Sequence, residues 1–138
     1  MATEKIVKVL DSSAIIAYLR NEEGAIVVHE TITDPKIVCY AHAINLCEVY
    51  YDAIRVGGLA DADTSLNGLF TLGLVERNDF DISFWKEVAW LKADKKASLA
   101  DFCGIVLTNR LMGSFLTCDH HELDKIAAEV ICPIQFIR

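Results

Sequence analysis

The sequence predicts a single α/β domain with a mainly parallel sheet, spanning residues 1–138. Short apolar runs of strand length alternate with longer segments of helical character. No repeat, low-complexity stretch or linker interrupts them. The composition is 53% hydrophobic and 24% charged, with only two prolines and seven glycines, which suits one sizeable core and excludes a disordered chain.

The first strand is expected at residues 5–10, which close on the apolar run IVKVL. Helices follow at 13–20 and 22–31, and Asp34-Pro35 turns the chain into a second strand at 36–40. Residues 41–56 read as a helix stopped by Gly57-Gly58. A further helix is expected at 61–72, although Asn67-Gly68 weakens its pattern, and a short strand at 74–77. Residues 81–96 form the next helix, with Asp79 or Asp81 near its N-cap. Ser98 caps another over 99–111. A strand at 114–118, a helix at 122–129 and a last strand at 130–137 complete the order. Pro133 cannot donate to a ladder, which makes the last strand an edge.

Thirteen basic against twenty acidic residues leave a net charge of −7, so the overall field does not grip nucleic acid. Lys86, Lys92, Lys95 and Lys96 share the helix at 81–96 and read as its solvated face. Trp85 and Trp90 on the same helix read as core or dimer surface. The five cysteines are widely spaced without a C-x-x-C pair, which suggests reduced, buried thiols. The opening MATEKIVKVL lacks the pattern of a secretory signal, and no apolar run approaches the roughly 18–20 residues of a membrane span. A cytoplasmic protein with no membrane contact is the expectation.

Four carboxylates stand in or beside strongly apolar segments: Asp11, Glu48, Asp101 and Asp119. An isolated buried carboxylate is costly, so such groups are usually paired or bind a metal. Asp11 follows the first strand, where it also suits a helix N-cap, as do Ser12 and Ser13. Glu48 lies on a narrow polar stripe with Asn45, Asp52 and Arg55, facing either solvent or a cleft. Asp101 is the only charged residue between Ala97 and Asn109, in the first turn of a helix that reads as buried all round. The helix dipole supplies about 0.3–1 kcal/mol there, too little to offset deep burial. Asp119 follows a strand in what also reads as a polar turn, and Thr117 shares its side. Asp124 is a further acid for the rim or for a helix start. His120 and His121 are adjacent and read as exposed loop residues, while His29 and His42 read as helix-surface or helix-start residues. In parallel sheets ligands bind at the carboxyl ends of strands, where Asp11 and Asp119 fall. An all-oxygen ligand set selects Mg²⁺ or Mn²⁺ over zinc or copper, and clustered acids with such ions serve phosphodiester hydrolysis.

Taken in order, V-L-D-S-S-A, N-L-C-E-V-Y-Y-D, S-L-A-D-F and F-L-T-C-D-H-H-E-L-D resemble the PIN domain (PilT N-terminus) nucleases, in particular the small toxins of VapBC-type toxin–antitoxin pairs. The resemblance covers essentially the whole chain. It implies a twisted parallel sheet of about five strands flanked by helices. It also implies a Mg²⁺- or Mn²⁺-dependent endoribonuclease. Asp11, Glu48, Asp101 and Asp119 match the family's acidic quartet, and Ser12 and Thr117 match supporting hydroxyls. A homodimer, an RNA substrate and a cognate antitoxin threading into the active-site groove are implied with them. Cys118 departs from the basic or small residue common at its position, but strand alternation turns it away from Asp119. No acid of the quartet is missing.

Other classes compete. One is a non-catalytic module of the same fold acting through a partner, which the intact quartet disfavours. Another is a DNA- or RNA-processing nuclease of the same superfamily. A haloacid-dehalogenase-like phosphatase wants a second Asp where Ser13 stands, and a phospho-accepting receiver wants an early acidic pair that is absent.

Overall fold

The computed structural model describes residues 4–138, so the first three residues of the opening segment read above lie outside it. Five strands form one sheet: β1 (Ile6–Leu10), β2 (Ile37–His42), β3 (Val75–Arg77), β4 (Ser114–Thr117) and β5 (Ile134–Phe136). Every pairing is parallel, and the strand order is β3-β2-β1-β4-β5. The chain builds outward from β1 to β3 on one side, then returns to lay β4 and β5 on the other. The order therefore reverses between β1 and β4, where a parallel sheet opens its crevice.

Six helices cover the sheet: α1 (Ser12–Leu19), α2 (Ala25–Thr33), α3 (Ala43–Leu72), α4 (Ile82–Asp94), α5 (Leu99–Arg110) and α6 (His120–Ala128). Strand alternation sends Leu10 and Leu116 into a core with Ile15, Val28 and Leu46 of α1–α3. It sends Val9 and Phe115 into a second core with Phe84, Phe102, Ile105 and Leu123 of α4–α6. Two apolar faces per strand explain why the runs in β1 and β4 are almost continuously apolar.

Several boundaries differ from expectation, each for a tertiary or backbone reason. α2 begins at Ala25, not at residue 22, because Gly24 takes a left-handed φ of 93° at the N-cap. A Cβ there would stand 2.9 Å from the Ile137 carbonyl oxygen, so glycine also permits a close approach. β2 runs on to His42, because Tyr40, Ala41 and His42 pair with β3. Gly58 (φ 85°, ψ 176°) breaks the helical path as expected, but a second helical segment follows directly, so α3 continues to Leu72. Asn67-Gly68 remains helical within it. α4 stops at Asp94, leaving Lys95 and Lys96 in the following loop. α6 starts at His120, ahead of the expected 122. β5 is shorter than expected and begins after Pro133; it is an edge strand.

Burial corrects other readings. Leu46 and Val49 are buried on α3, but Ile44, Cys47 and Tyr51 are exposed, so this helix is not buried over most of its circumference. Cys39, Cys103 and Cys132 are buried, whereas Cys47 is exposed and Cys118 half-buried. Trp90 is 77% exposed and Trp85 41%, which removes them from the core. His42 is buried at the N-cap of α3: its Nδ1 accepts from the Ile44 amide (3.1 Å) and its Nε2 faces the Asp79 carbonyl oxygen (2.8 Å). No helix among the described residues is long and apolar enough to cross a membrane.

Candidate active site

The pairing of β1 with β4 brings residues far apart in sequence to one rim. The Asp11 amide donates to the Leu116 carbonyl oxygen at 3.0 Å, extending that ladder by one bond. Asp11 is the N-cap of α1: its Oδ1 accepts from the Ala14 amide (2.8 Å) and from Ser13 Oγ (2.7 Å). Its Oδ2 accepts from Thr117 Oγ1 at 2.5 Å. The side chain is buried, and burial pushes the carboxyl up to about 7. The hydrogen bonds from Thr117, Ala14 and Ser13 oppose that rise, and the charge of Asp101 adds to it.

Thr117 is the bridge between two acids. While its hydroxyl donates to Asp11, it accepts from the Asp119 amide at 3.0 Å. Asp119 is not in a simple polar turn: it caps α6, with Oδ1 accepting from the Glu122 amide at 3.2 Å. Ser13 also joins the two strand ends, since its Oγ accepts from the Cys118 amide at 3.1 Å.

Asp101 lies in the first turn of α5, where every residue from Ala100 to Thr108 is buried. A reciprocal capping box holds it: its amide donates to Ser98 Oγ (3.0 Å), and its Oδ2 accepts from the Ser98 amide (3.3 Å). Burial raises the pKa of its carboxyl from the ordinary aspartate value; the Ser98 bonds oppose this, and the charges of Asp119 and Glu48 reinforce it. Asp101 is therefore within electrostatic reach of Asp11, Asp119 and Glu48. None of the ion pairs among the described residues involves these four acids.

Glu48 projects from α3, half-buried, and accepts from Ser12 Oγ at 3.0 Å. The polar stripe of that helix sinks from surface to core: Arg55 is exposed, Asp52 pairs with Arg20 at 2.7 Å, and Asn45 is fully buried. Asn45 Nδ2 donates to the Ala100 carbonyl oxygen at 3.2 Å, tying α3 to the turn that carries Asp101. Its Oδ1 is buried without a partner.

Among the other candidates His120 and Asp124 pair with each other, although the charge of Asp119, after the bonds to Arg138 and Asp124, is one of the causes that raise the pKa of His120. His120 Nδ1 lies 2.7 Å from Asp124 Oδ1, its Nε2 lies 2.8 Å from the Arg138 carbonyl oxygen, and its ring stacks on Phe136. His121 is exposed on the same helix. Both histidines are exposed as expected, but on α6 and not in a loop.

Ser13 and Asn45 are the residues whose part in the site sequence reasoning missed. The S-S pair after Asp11 carried the signal for Ser13: Ser12 turns to Glu48, and Ser13 holds Asp11. For Asn45 the signal was its place three residues before Glu48 on one helix face.

As a donor set the site is all oxygen, which suits a hard divalent cation. Among the described residues, no group of three or more Asp, Glu, His or Cys side chains is placed to hold a metal ion as they stand.

The family model for the PIN domain matches residues 8–129, a span that holds all four acids. The chain belongs to the PIN domain family. Solved structures share the fold at low identity. The Rickettsia felis VapBC2 complex bound to a promoter DNA fragment is 11% identical, with a TM-score of 0.72 over 95% of this chain and 98% of that one. A Klebsiella pneumoniae toxin–antitoxin complex is 14% identical, with a TM-score of 0.73 over 95% and 98%. The Mycobacterium tuberculosis toxin VapC20, described as cleaving the sarcin–ricin loop, is 13% identical, with a TM-score of 0.66 over 86% and 94%. No curated protein sequence matches this PIN domain.

Proposed function

We propose that this PIN domain, taken as residues 1–138, is a Mg²⁺- or Mn²⁺-dependent endoribonuclease and the toxin of a type II toxin–antitoxin pair. One observation carries this: Asp101, buried without a cationic partner, lies in reach of three more acids beside the switch point of a parallel sheet. Carboxylates in such a place repel one another unless a cation shares them. Asp11, Glu48, Asp101 and Asp119 would hold the ion. When bound, such an ion lowers the pKa of a coordinated water and polarises the phosphoryl group of an RNA chain. Thr117 and Ser13 hold both oxygens of Asp11, Ser12 orients Glu48, and Ser98 fixes Asp101.

The toxin–antitoxin complexes among the structural neighbours support an antitoxin partner, and the cleavage named for VapC20 supports RNA as the substrate. A homodimer working in the cytoplasm belongs to the same proposal. The test is RNA cleavage with Mg²⁺ or Mn²⁺ by the wild type and by Asp101→Asn. We expect the variant to keep its circular dichroism spectrum, lose cleavage by more than about 100-fold and bind Mn²⁺ more weakly. A wild-type protein that binds no divalent ion and cuts no RNA would overturn the proposal.

A further inference from the structure

A second feature adjoins the acids. Between the end of α4 and the start of α6 lies a groove of about 360 Å³ lined by Lys92, Lys95, Lys96, Ala97, Ser98 and Glu122. It exists because α4 ends at Asp94, which turns Lys95 and Lys96 off the helix, and because Lys92 Nζ reaches back to the Ala97 carbonyl oxygen at 2.8 Å. The four lysines of this region thus divide: three line the groove, while Lys86 stays outside it on α4.

The groove shares its foundations with the acids. Ser98 on one wall is the cap that holds Asp101, and Glu122 on the other receives its cap from Asp119. The Ser98 hydroxyl accepts from the Asp101 amide and keeps its own proton to donate. Lys95 is held between Asp94 (2.9 Å) and Glu129 (3.0 Å), which makes it a strut. Lys96 is exposed and makes no ion pair among the described residues, and Lys92 is exposed beside it. Glu122, half-buried, also lines the groove and opposes an anion on its own side.

We propose that this groove binds the phosphate backbone of single-stranded RNA next to the acid site, with Lys92 and Lys96 as the phosphate ligands and the Ser98 hydroxyl as a further donor. The inference rests on the reading of the neighbouring acids as a ribonuclease site. A chain of net charge −7 with a cluster of carboxylates repels a polyanion, so holding RNA there calls for a local cationic track. A track rooted in the caps of Asp101 and Asp119 would set one phosphate at the lysines while a neighbouring one meets the acids.

The experiment is fluorescence-anisotropy titration of a short mixed-sequence single-stranded RNA against the full chain in EDTA, across a salt series. The proteins are the wild type, Lys96→Gln, Lys92→Gln/Lys96→Gln and, as a control, Lys86→Gln. Each phosphate contact on a single strand contributes about 0.7 to the slope of log affinity against log salt. We expect the slope to fall by about 0.7 in Lys96→Gln and about 1.4 in the double variant, and to hold in Lys86→Gln. Lys96 is exposed and makes no ion pair among the described residues, so Lys96→Gln removes no charged contact described in the fold. Slopes that are unchanged in the groove variants, or that fall equally in Lys86→Gln, overturn the proposal, as does a wild type that fails to bind RNA at low salt. Cleavage with Mg²⁺ or Mn²⁺ is read separately. Slope loss without any cleavage leaves the groove standing and removes the nuclease reading, whereas cleavage with unchanged slopes does the reverse.

Discussion

Replacing Asp11 with Asn tests the electrostatics of the site directly. Asp11 is ordinarily a carboxyl of pKa 3.8, and burial lifts it to about 7 in the folded chain. The folded state thus binds a proton that the unfolded state has already released. Its stability is full below the unfolded value and is lost as pH rises toward the folded one. At about 1.4 kcal/mol per pH unit, the raised pKa of Asp11 costs the metal-free fold about 4 kcal/mol at pH 8 and about 1.6 kcal/mol at pH 5. Asn retains an acceptor for Ala14 and Ser13 and presents a donor to Thr117, but carries no charge. Urea unfolding of metal-free protein should therefore show Asp11→Asn gaining on the wild type by about 2.5 kcal/mol between pH 5 and pH 8. Saturating Mn²⁺ should narrow the variant's advantage at pH 8. A ligand at 100 times its Kd stabilises the state it binds by about 2.7 kcal/mol, and the variant lacks one charged ligand. A stability difference that does not change with pH would refute the burial of an ionisable Asp11.

Two further substitutions probe the frame around the acids. Gly104→Ala on α5 would place a Cβ 2.4 Å from Cε1 of the fully buried Phe115, so an overpacking cost of about 1–3 kcal/mol should exceed the roughly 1 kcal/mol helix-propensity gain. Gly68→Ala on α3 meets open space and should gain about 0.5–1 kcal/mol, so thermal melts should move in opposite directions. Asn45→Leu removes the unpartnered buried Oδ1 together with the bond to Ala100, so its stability should change by no more than about 1 kcal/mol. Calorimetric Mn²⁺ affinity should nevertheless fall by about 10–100-fold, because the tie between the helices bearing Glu48 and Asp101 is lost. Unchanged affinity would make Asn45 a packing residue only.

Much of the fold was legible because its signals are local. Ser98 caps α5 and Asp81 caps α4, since a short acceptor side chain at a helix start satisfies amides within three residues. Pro133 marks the edge strand because it cannot serve two neighbours. Where local signals compete with long-range pairing, expectation slipped. Residues 41 and 42 suit a helix start, yet β3 draws them into the sheet. Beside its narrow polar stripe the first half of α3 reads as apolar, yet Tyr51 and Cys47 on those apolar faces are left exposed. The oddness of Asp101 was visible from its apolar surroundings, whereas the burial of Asn45 was not, because a helix stripe does not reveal how far each turn sinks.

By itself, the sequence determined the alternation of strands and helices, the main caps and the four acids worth suspecting. Periodicity, capping and the cost of isolated charge all act over a few residues. Only the tertiary structure decided the strand order that sets Asp11 beside Thr117 and Asp119, the division of labour between Ser12 and Ser13, and the turning of Lys92, Lys95 and Lys96 into one groove. Those outcomes depend on which strand faces which once both sides of the sheet are buried, and no short stretch of chain contains that information.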